Sequence, residues 1–214
     1  PWKHLIIRDF LPPDLYNGVK NEVSVHLDHP ALKKRNVRAY HIFAMHSVGV
    51  LPSSPNLSEY YNILLDESII DAIKSKLPVK QDPKDFYSEL NLFTQGYNYG
   101  EIHPDRYDKL ITMLHYLADE GDDESLGTFL YDPHKAGSEL DVFKDKVASA
   151  PYIPNCALLF APHGDGKNEQ GYWTNHCMAN NSDTTFLRKS FQTCWIDGST
   201  GDWRKDPQSG RIKI

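Results

Sequence analysis

Gly96-Tyr97-Asn98-Tyr99-Gly100-Glu101-Ile102-His103-Pro104-Asp105 leads, after a short polar link, into Leu110-Ile111-Thr112-Met113-Leu114-His115-Tyr116-Leu117. The first stretch is a turn rich in tyrosine and glycine; the second is an apolar run of strand character. His103 and Asp105 stand two residues apart at the junction. In extended chain, residues i and i+2 share a face, so both side chains can reach one ion. Two other His-x-Asp triplets occur, His26-x-Asp28 and His163-x-Asp165. The first falls at the end of a helical pattern, where residues two apart do not face each other. The second sits in Pro162-His163-Gly164-Asp165-Gly166, which reads as a turn, and is the weaker competitor.

Working outward, the N-terminal part reads as helical and the remainder as β-rich. Residues 4–8 form a short strand pattern. A helix starts at Pro12-Pro13-Asp14, and Leu15, Val19, Val23 and Leu27 recur at intervals of four until Pro30. Residues 39–45 have strand character, and 56–77 read as one helix stopped by Pro78. From residue 86 on, strand candidates are 86–97, 110–117, 127–131, 155–161, 172–178 and 187–196, with 133–150 a polar insertion between strands. Helices first and many strands afterwards predict an α+β architecture in a single domain spanning 1–214, with the helices packed on a sheet sandwich or barrel.

A mononuclear metal site built on two histidines and one carboxylate needs a third ligand and leaves positions open for reactants. His176, in Tyr172-Trp173-Thr174-Asn175-His176, is the candidate; His134 and His163 are alternatives in turn-like sequence. An anion site is also legible. Alternation along the last strong strand puts Arg188, Ser190, Gln192 and Cys194 on one face and Lys189, Phe191, Thr193 and Trp195 on the other. Arg188 can fork onto the two oxygens of a carboxylate while Ser190 adds a hydroxyl. In the strand after His103-x-Asp105, Leu110, Thr112, Leu114 and Tyr116 share a face, so Tyr116 can offer a phenolic donor to the same group. His115 points the other way and reads as structural.

The order of these parts resembles the 2-oxoglutarate and iron(II)-dependent oxygenases, especially the prolyl-4-hydroxylase-like branch. The resemblance covers roughly residues 86–196. It comprises the Tyr/Gly-rich turn before His103-x-Asp105, a strand ending in Tyr116-Leu117, Leu126-Gly127-Thr128, Phe160-Ala161-Pro162, the Trp173 to His176 stretch, and Arg188-x-Ser190. It departs from the family pattern where Thr174 and Asn175 separate Trp173 from His176, and in a longer spacing from His176 to Arg188. The resemblance implies a double-stranded β-helix (jelly-roll) core with N-terminal helices packed on the sheet. It implies iron(II) on His103, Asp105 and His176, and 2-oxoglutarate as co-substrate with its far carboxylate on Arg188, Ser190 and Tyr116. It admits ascorbate as an additional cofactor. The implied reaction is hydroxylation of an unactivated C–H bond with molecular oxygen, on a prolyl or other protein side chain or on a small molecule.

Composition narrows the partners. Hydrophobic residues at 40% and charged residues at 24% are close to a globular average. A net charge of −6 and a pI of about 5.9 supply no global attraction to nucleic acid or anionic membrane, and the basic group Lys33, Lys34, Arg35 and Arg38 reads as a solvated loop. Nucleic-acid demethylases of the same superfamily usually carry a second arginine six residues after the first; here that position is Cys194. The odd count of cysteines (Cys156, Cys177 and Cys194), with no Cys-x-x-Cys pair, argues against a disulfide framework or structural zinc. No apolar run approaches a membrane span, and Pro1-Trp2-Lys3-His4 has no signal-peptide character. A reducing, cytoplasmic setting is the expectation. The rivals are a jelly-roll binding protein without catalysis and a zinc hydrolase, the latter lacking a His-Glu-x-x-His helix.

Overall fold

The computed structural model describes residues 2–27, 54–93, 102–105, 108–135, 137–162, 174–178 and 187–198. Its elements in chain order are β1 (His4–Ile7), α1 (Pro13–Leu27), α2 (Pro55–Leu65), α3 (Glu67–Lys76), β2 (Asp85–Phe93), β3 (Lys109–Tyr116), β4 (Thr128–Tyr131), β5 (Lys146–Ala150), β6 (Ala157–Phe160), β7 (His176–Met178) and β8 (Arg188–Ile196). The expected strand over 39–45 lies outside the described residues. Among the described residues, no helix is long and apolar enough to cross a membrane, and Cys156, Cys177 and Cys194 are free and buried.

The strands form two antiparallel sheets. The larger runs β1-β6-β3-β8-β2 and the smaller β5-β4-β7. The helices cover one face of the larger sheet. Leu15, Val19 and Val23 of α1 are buried as their spacing predicts, against Tyr60 and Leu64 of α2 and Ile111, Met113, Leu159, Phe191 and Trp195 of the sheet. The opposite face meets the smaller sheet, where Tyr116, Leu158 and Phe160 share a core with Leu130 and Ala150. Period-2 alternation therefore sorts each central strand into a helix side and an inter-sheet side.

Three expectations are corrected. The single helix over 56–77 is two helices. Asp66 takes an extended backbone and its carboxylate accepts from Ser68 N at 2.8 Å, capping α3. The presumed insertion over 133–150 contains β5, which pairs with β4. It is a strand whose residues are largely exposed, with only Ala150 buried, so its Lys146-Val147-Ala148-Ser149-Ala150 sequence has little apolar alternation to betray it. Leu110 does not share a face with Thr112. The pairing of β3 with β8 shifts register between Lys109 and Ile111, and Leu110 and Ile111 both enter the helix-side core. A bulge of this kind inserts one residue and re-aims its neighbours.

Candidate metal and anion site

His103, Asp105 and His176 converge. One ligand atom from each lies within 4.8 Å of the others. The backbone sets this up: His103 N donates to His176 O and His176 N donates to His103 O, both at 3.1 Å. His103 thus forms a single antiparallel bridge with His176 of β7, and the two imidazoles sit with ring centroids 4.7 Å apart. His176 is buried, its ring 4.9 Å from that of Phe160. Its Nδ1 donates to Thr174 O at 2.9 Å, which fixes the tautomer and leaves Nε2 with a free lone pair. Burial, opposed by Asp105, pushes the His176 pKa down to about 4, so the ring is neutral and ready to ligate.

Asp105 is buried with two partners. Lys109 Nζ donates to Oδ1, and Thr112 Oγ1 donates to Oδ2 at 2.6 Å. Burial opposes ionisation of Asp105, but Lys109 and His176 and the two hydrogen bonds outweigh it and hold the carboxyl well below the usual carboxylate range. Burial likewise opposes the charge on Lys109, and Asp105 outweighs it, so the ammonium is held charged. Two imidazoles and one carboxylate are the donor set of mononuclear non-haem iron sites with open coordination positions. The residues present fit such an ion.

Arg188, Ser190 and Tyr116 also meet, on the same inter-sheet face. Ser190 is the register partner of Tyr116. The Arg188 guanidinium lies over the Tyr116 ring at 5.3 Å and the Tyr152 ring at 5.6 Å, with Nη1 3.4 Å from Ser190 Oγ. All three side chains are buried. Burial lowers the pKa of Arg188, with the two tyrosines opposing, and raises that of Tyr116 to about 12, with Arg188 opposing.

The Leu126-Gly127-Thr128 stretch orients these groups from the facing sheet. Leu126 O accepts from Arg188 Nε at 2.8 Å, and Thr128 Oγ1 accepts from the Tyr116 hydroxyl at 2.8 Å. Gly127 lies between them, against the backbone of β5. A Cβ built there would stand 1.8 Å from Ala150 O, so only glycine lets the two strands close.

Sequence reasoning did not single out Lys109, Thr112, Thr128 or the Leu126 carbonyl as site groups. Thr112 was visible as a site-face residue; Lys109 was hidden by the bulge. Of the alternative third ligands, His134 is exposed in a turn, and His163, with Asp165, lies outside the described residues. A separate cavity of about 500 Å³ opens between the start of α1 and the 119–124 and 152–155 loops; of the residues around Arg188 it shares only Tyr152.

No family model matches the chain, and no curated protein is significantly similar to it in sequence. Solved structures are similar in fold. A prolyl-4-hydroxylase from Pseudomonas putida aligns over 91% of this chain and 92% of that one, at 14% identity and a TM-score of 0.53. A prolyl hydroxylase from Trichoplax adhaerens, in complex with a hypoxia inducible factor oxygen degradation domain peptide fragment, aligns over 91% and 84%, at 13% identity and 0.58. A prolyl 4-hydroxylase from Phytophthora capsici aligns over 92% of this chain and 60% of that one, at 12% and 0.55. The resemblance to the prolyl-4-hydroxylase-like oxygenases, first carried by motifs, thus extends to the fold of nearly the whole chain.

Proposed function

We propose that this chain is one oxygenase domain that uses iron(II), 2-oxoglutarate and molecular oxygen to hydroxylate an unactivated C–H bond. We read the two sheets as the halves of a double-stranded β-helix. The observation that carries the proposal is the pairing of two sites on one inter-sheet face: the His103, Asp105 and His176 cluster at one end and Arg188, Ser190 and Tyr116 at the other. Thr112, bonded to Asp105, and Tyr116 are four residues apart on β3, about 13 Å of extended strand. Side chains reaching inward from both ends leave a span that a five-carbon dicarboxylate can bridge.

His103, Asp105 and His176 would hold iron, with Asp105 supplying negative charge to the divalent ion. When bound, the iron would activate molecular oxygen, the oxidant, with one oxygen atom going into succinate as 2-oxoglutarate loses carbon dioxide and the other into the C–H bond of the substrate. Arg188 would grip the far carboxylate at two points, with the Ser190 hydroxyl beside it and the Tyr116 hydroxyl turning from Thr128 Oγ1 to complete the cradle. Leu158 and Phe160 wall the space with apolar surface that keeps water out. The Trichoplax neighbour holds a peptide, which makes a protein side chain the first substrate class to test. The earlier expectation of ascorbate finds no support among the described residues.

An anaerobic titration with iron(II) and 2-oxoglutarate should develop a visible charge-transfer band, and aerobic turnover should release succinate. Asp105→Ala should abolish both, at a cost in stability because it leaves the buried Lys109 ammonium unpaired; Asp105→Asn separates the two effects, with Asp165→Ala as the control. Equal succinate from Asp105→Ala and wild type would overturn the assignment. Loss in Asp165→Ala alone would move the site to the second His-x-Asp triplet.

A further inference from the structure

Lys109 is the buried charge for which a metal ligand set has no evident use. It is 6% exposed and contacts Asp105 directly. Strict alternation would send it to the helix side, opposite Thr112. The bulge between Lys109 and Ile111 instead places Leu110 and Ile111 in the helix-side core and Lys109 on the inter-sheet face. Lysine is rarely buried unless paired, so the chain commits a backbone irregularity to keep this ammonium against this carboxylate. Thr112 occupies the other oxygen of Asp105.

From this geometry we infer that Lys109 is an internal counter-cation that makes tight metal binding conditional on an anionic co-ligand. The inference rests on the metal-site reading above. Asp105 and Lys109 together are neutral, and the imidazoles are neutral when they ligate. A divalent ion therefore enters a buried site with both of its charges uncompensated, beside an ammonium that already holds Asp105. A carboxylate oxygen has two lone-pair sites, so Asp105 can serve the ion and keep Lys109. Like charges about 5 Å apart still repel strongly enough, at the effective dielectric of protein sites, to weaken binding well over tenfold. A dicarboxylate that chelates the ion through its near carboxylate cancels one of those charges, its far carboxylate being matched by Arg188. Metal and co-substrate should then strengthen each other's binding reciprocally. Without metal, Lys109 spares Asp105 an unpaired buried charge, so the ligand set is assembled in advance. Lys109 is a positioning residue, acting through Asp105.

The test uses manganese(II), a redox-silent probe, with binding read from the loss of the free-ion electron paramagnetic resonance signal. Wild type should bind manganese weakly alone and about tenfold or more tightly with saturating 2-oxoglutarate. Lys109→Met and Lys109→Gln should each bind manganese alone about tenfold or more tightly than wild type, with the 2-oxoglutarate enhancement reduced. Lys109→Gln keeps a donor to Asp105 without the charge, and it carries the test if Lys109→Met fails to fold. Wild-type affinity and enhancement in Lys109→Gln would overturn the inference, since a purely structural role needs only the hydrogen bond. So would a wild type whose manganese affinity ignores 2-oxoglutarate. Absence of manganese binding in every protein, with or without co-substrate, would overturn the metal-site reading itself.

Discussion

On β3, His115 faces the helices and Tyr116 faces the smaller sheet. The His115 ring is buried, its nitrogens 3.3 Å from Tyr60 Oη and from Asn155 Oδ1, with the Phe10 ring 5.1 Å away. Tyr116 is equally buried, but its neighbours are Arg188, Ser190 and Thr128. β8 repeats the contrast, with Phe191 and Trp195 in the helix-side core and Arg188 and Ser190 across from it. Both faces exclude water to a similar degree. They differ in what the burial accomplishes. On the helix side, removal of apolar surface from water stabilises the fold. On the inter-sheet side, buried charges contribute little net stability, because desolvation offsets their attraction. Their retention there accords with the ligand-binding role proposed above.

The contrast breaks if mutations on the two faces have the same effect. Phe191 packs its ring 5.0 Å from that of Tyr60. Phe191→Ala should lower the unfolding free energy by about 3–5 kcal/mol while leaving 2-oxoglutarate affinity nearly unchanged; urea unfolding and a binding titration check both halves.

The next effect is pH dependence. Burial lowers the His115 pKa to about 4 from 6.5, opposed by its hydrogen bond to Asn155. The unfolded chain therefore takes up this proton between pH 6.5 and 4 while the folded chain does not. Stability is fully present above about pH 6.5, falls as the pH drops toward 4, and loses nothing further from this group below that. The window is worth on the order of 3 kcal/mol. His176 adds a similar acid-side slope in the metal-free protein. His115→Leu should flatten the slope of urea-derived stability against pH without altering manganese affinity. An unchanged slope would show that His115 is not held neutral.

The smallest effect expected is on co-substrate binding. Arg188→Ala should raise the apparent 2-oxoglutarate constant roughly thirty-fold or more, about 2 kcal/mol, with iron binding little changed. Arg188→Lys should be intermediate, a point charge replacing a fork. Wild-type 2-oxoglutarate affinity in Arg188→Ala would place the anion anchor elsewhere.

The legible parts of this molecule are those written in local periodicity. Interval-four apolar positions marked α1, and alternation assigned the faces of β8 correctly. Extended geometry at His103 and Asp105 favoured, over His26-x-Asp28, the triplet that the fold brings beside His176, a choice that needed no knowledge of the partner strand. What stayed hidden depends on contacts between segments distant in the chain. The bulge that turns Lys109 inward arises from pairing with β8, and the alignment of Thr128 with Tyr116 arises from stacking one sheet on the other. Strand β5 lacks an apolar pattern because it is largely exposed. The break at Asp66 was recoverable, since Asp66-Glu67-Ser68 inside an apolar helical pattern carries an N-cap signal.

The reciprocal bonds between His103 and His176 act as a clasp. They join segments roughly seventy residues apart, a closure whose entropy grows only slowly with length and is met by the sheet as the chain folds. On the proposed reading, an ion would meet two imidazoles held side by side by backbone bonds and not by the ion itself. In zinc fingers the metal holds the chain together, and chelators denature the protein. Here backbone pairing holds the candidate ligands together, so ion exchange at the proposed site would be a local event, separable from folding.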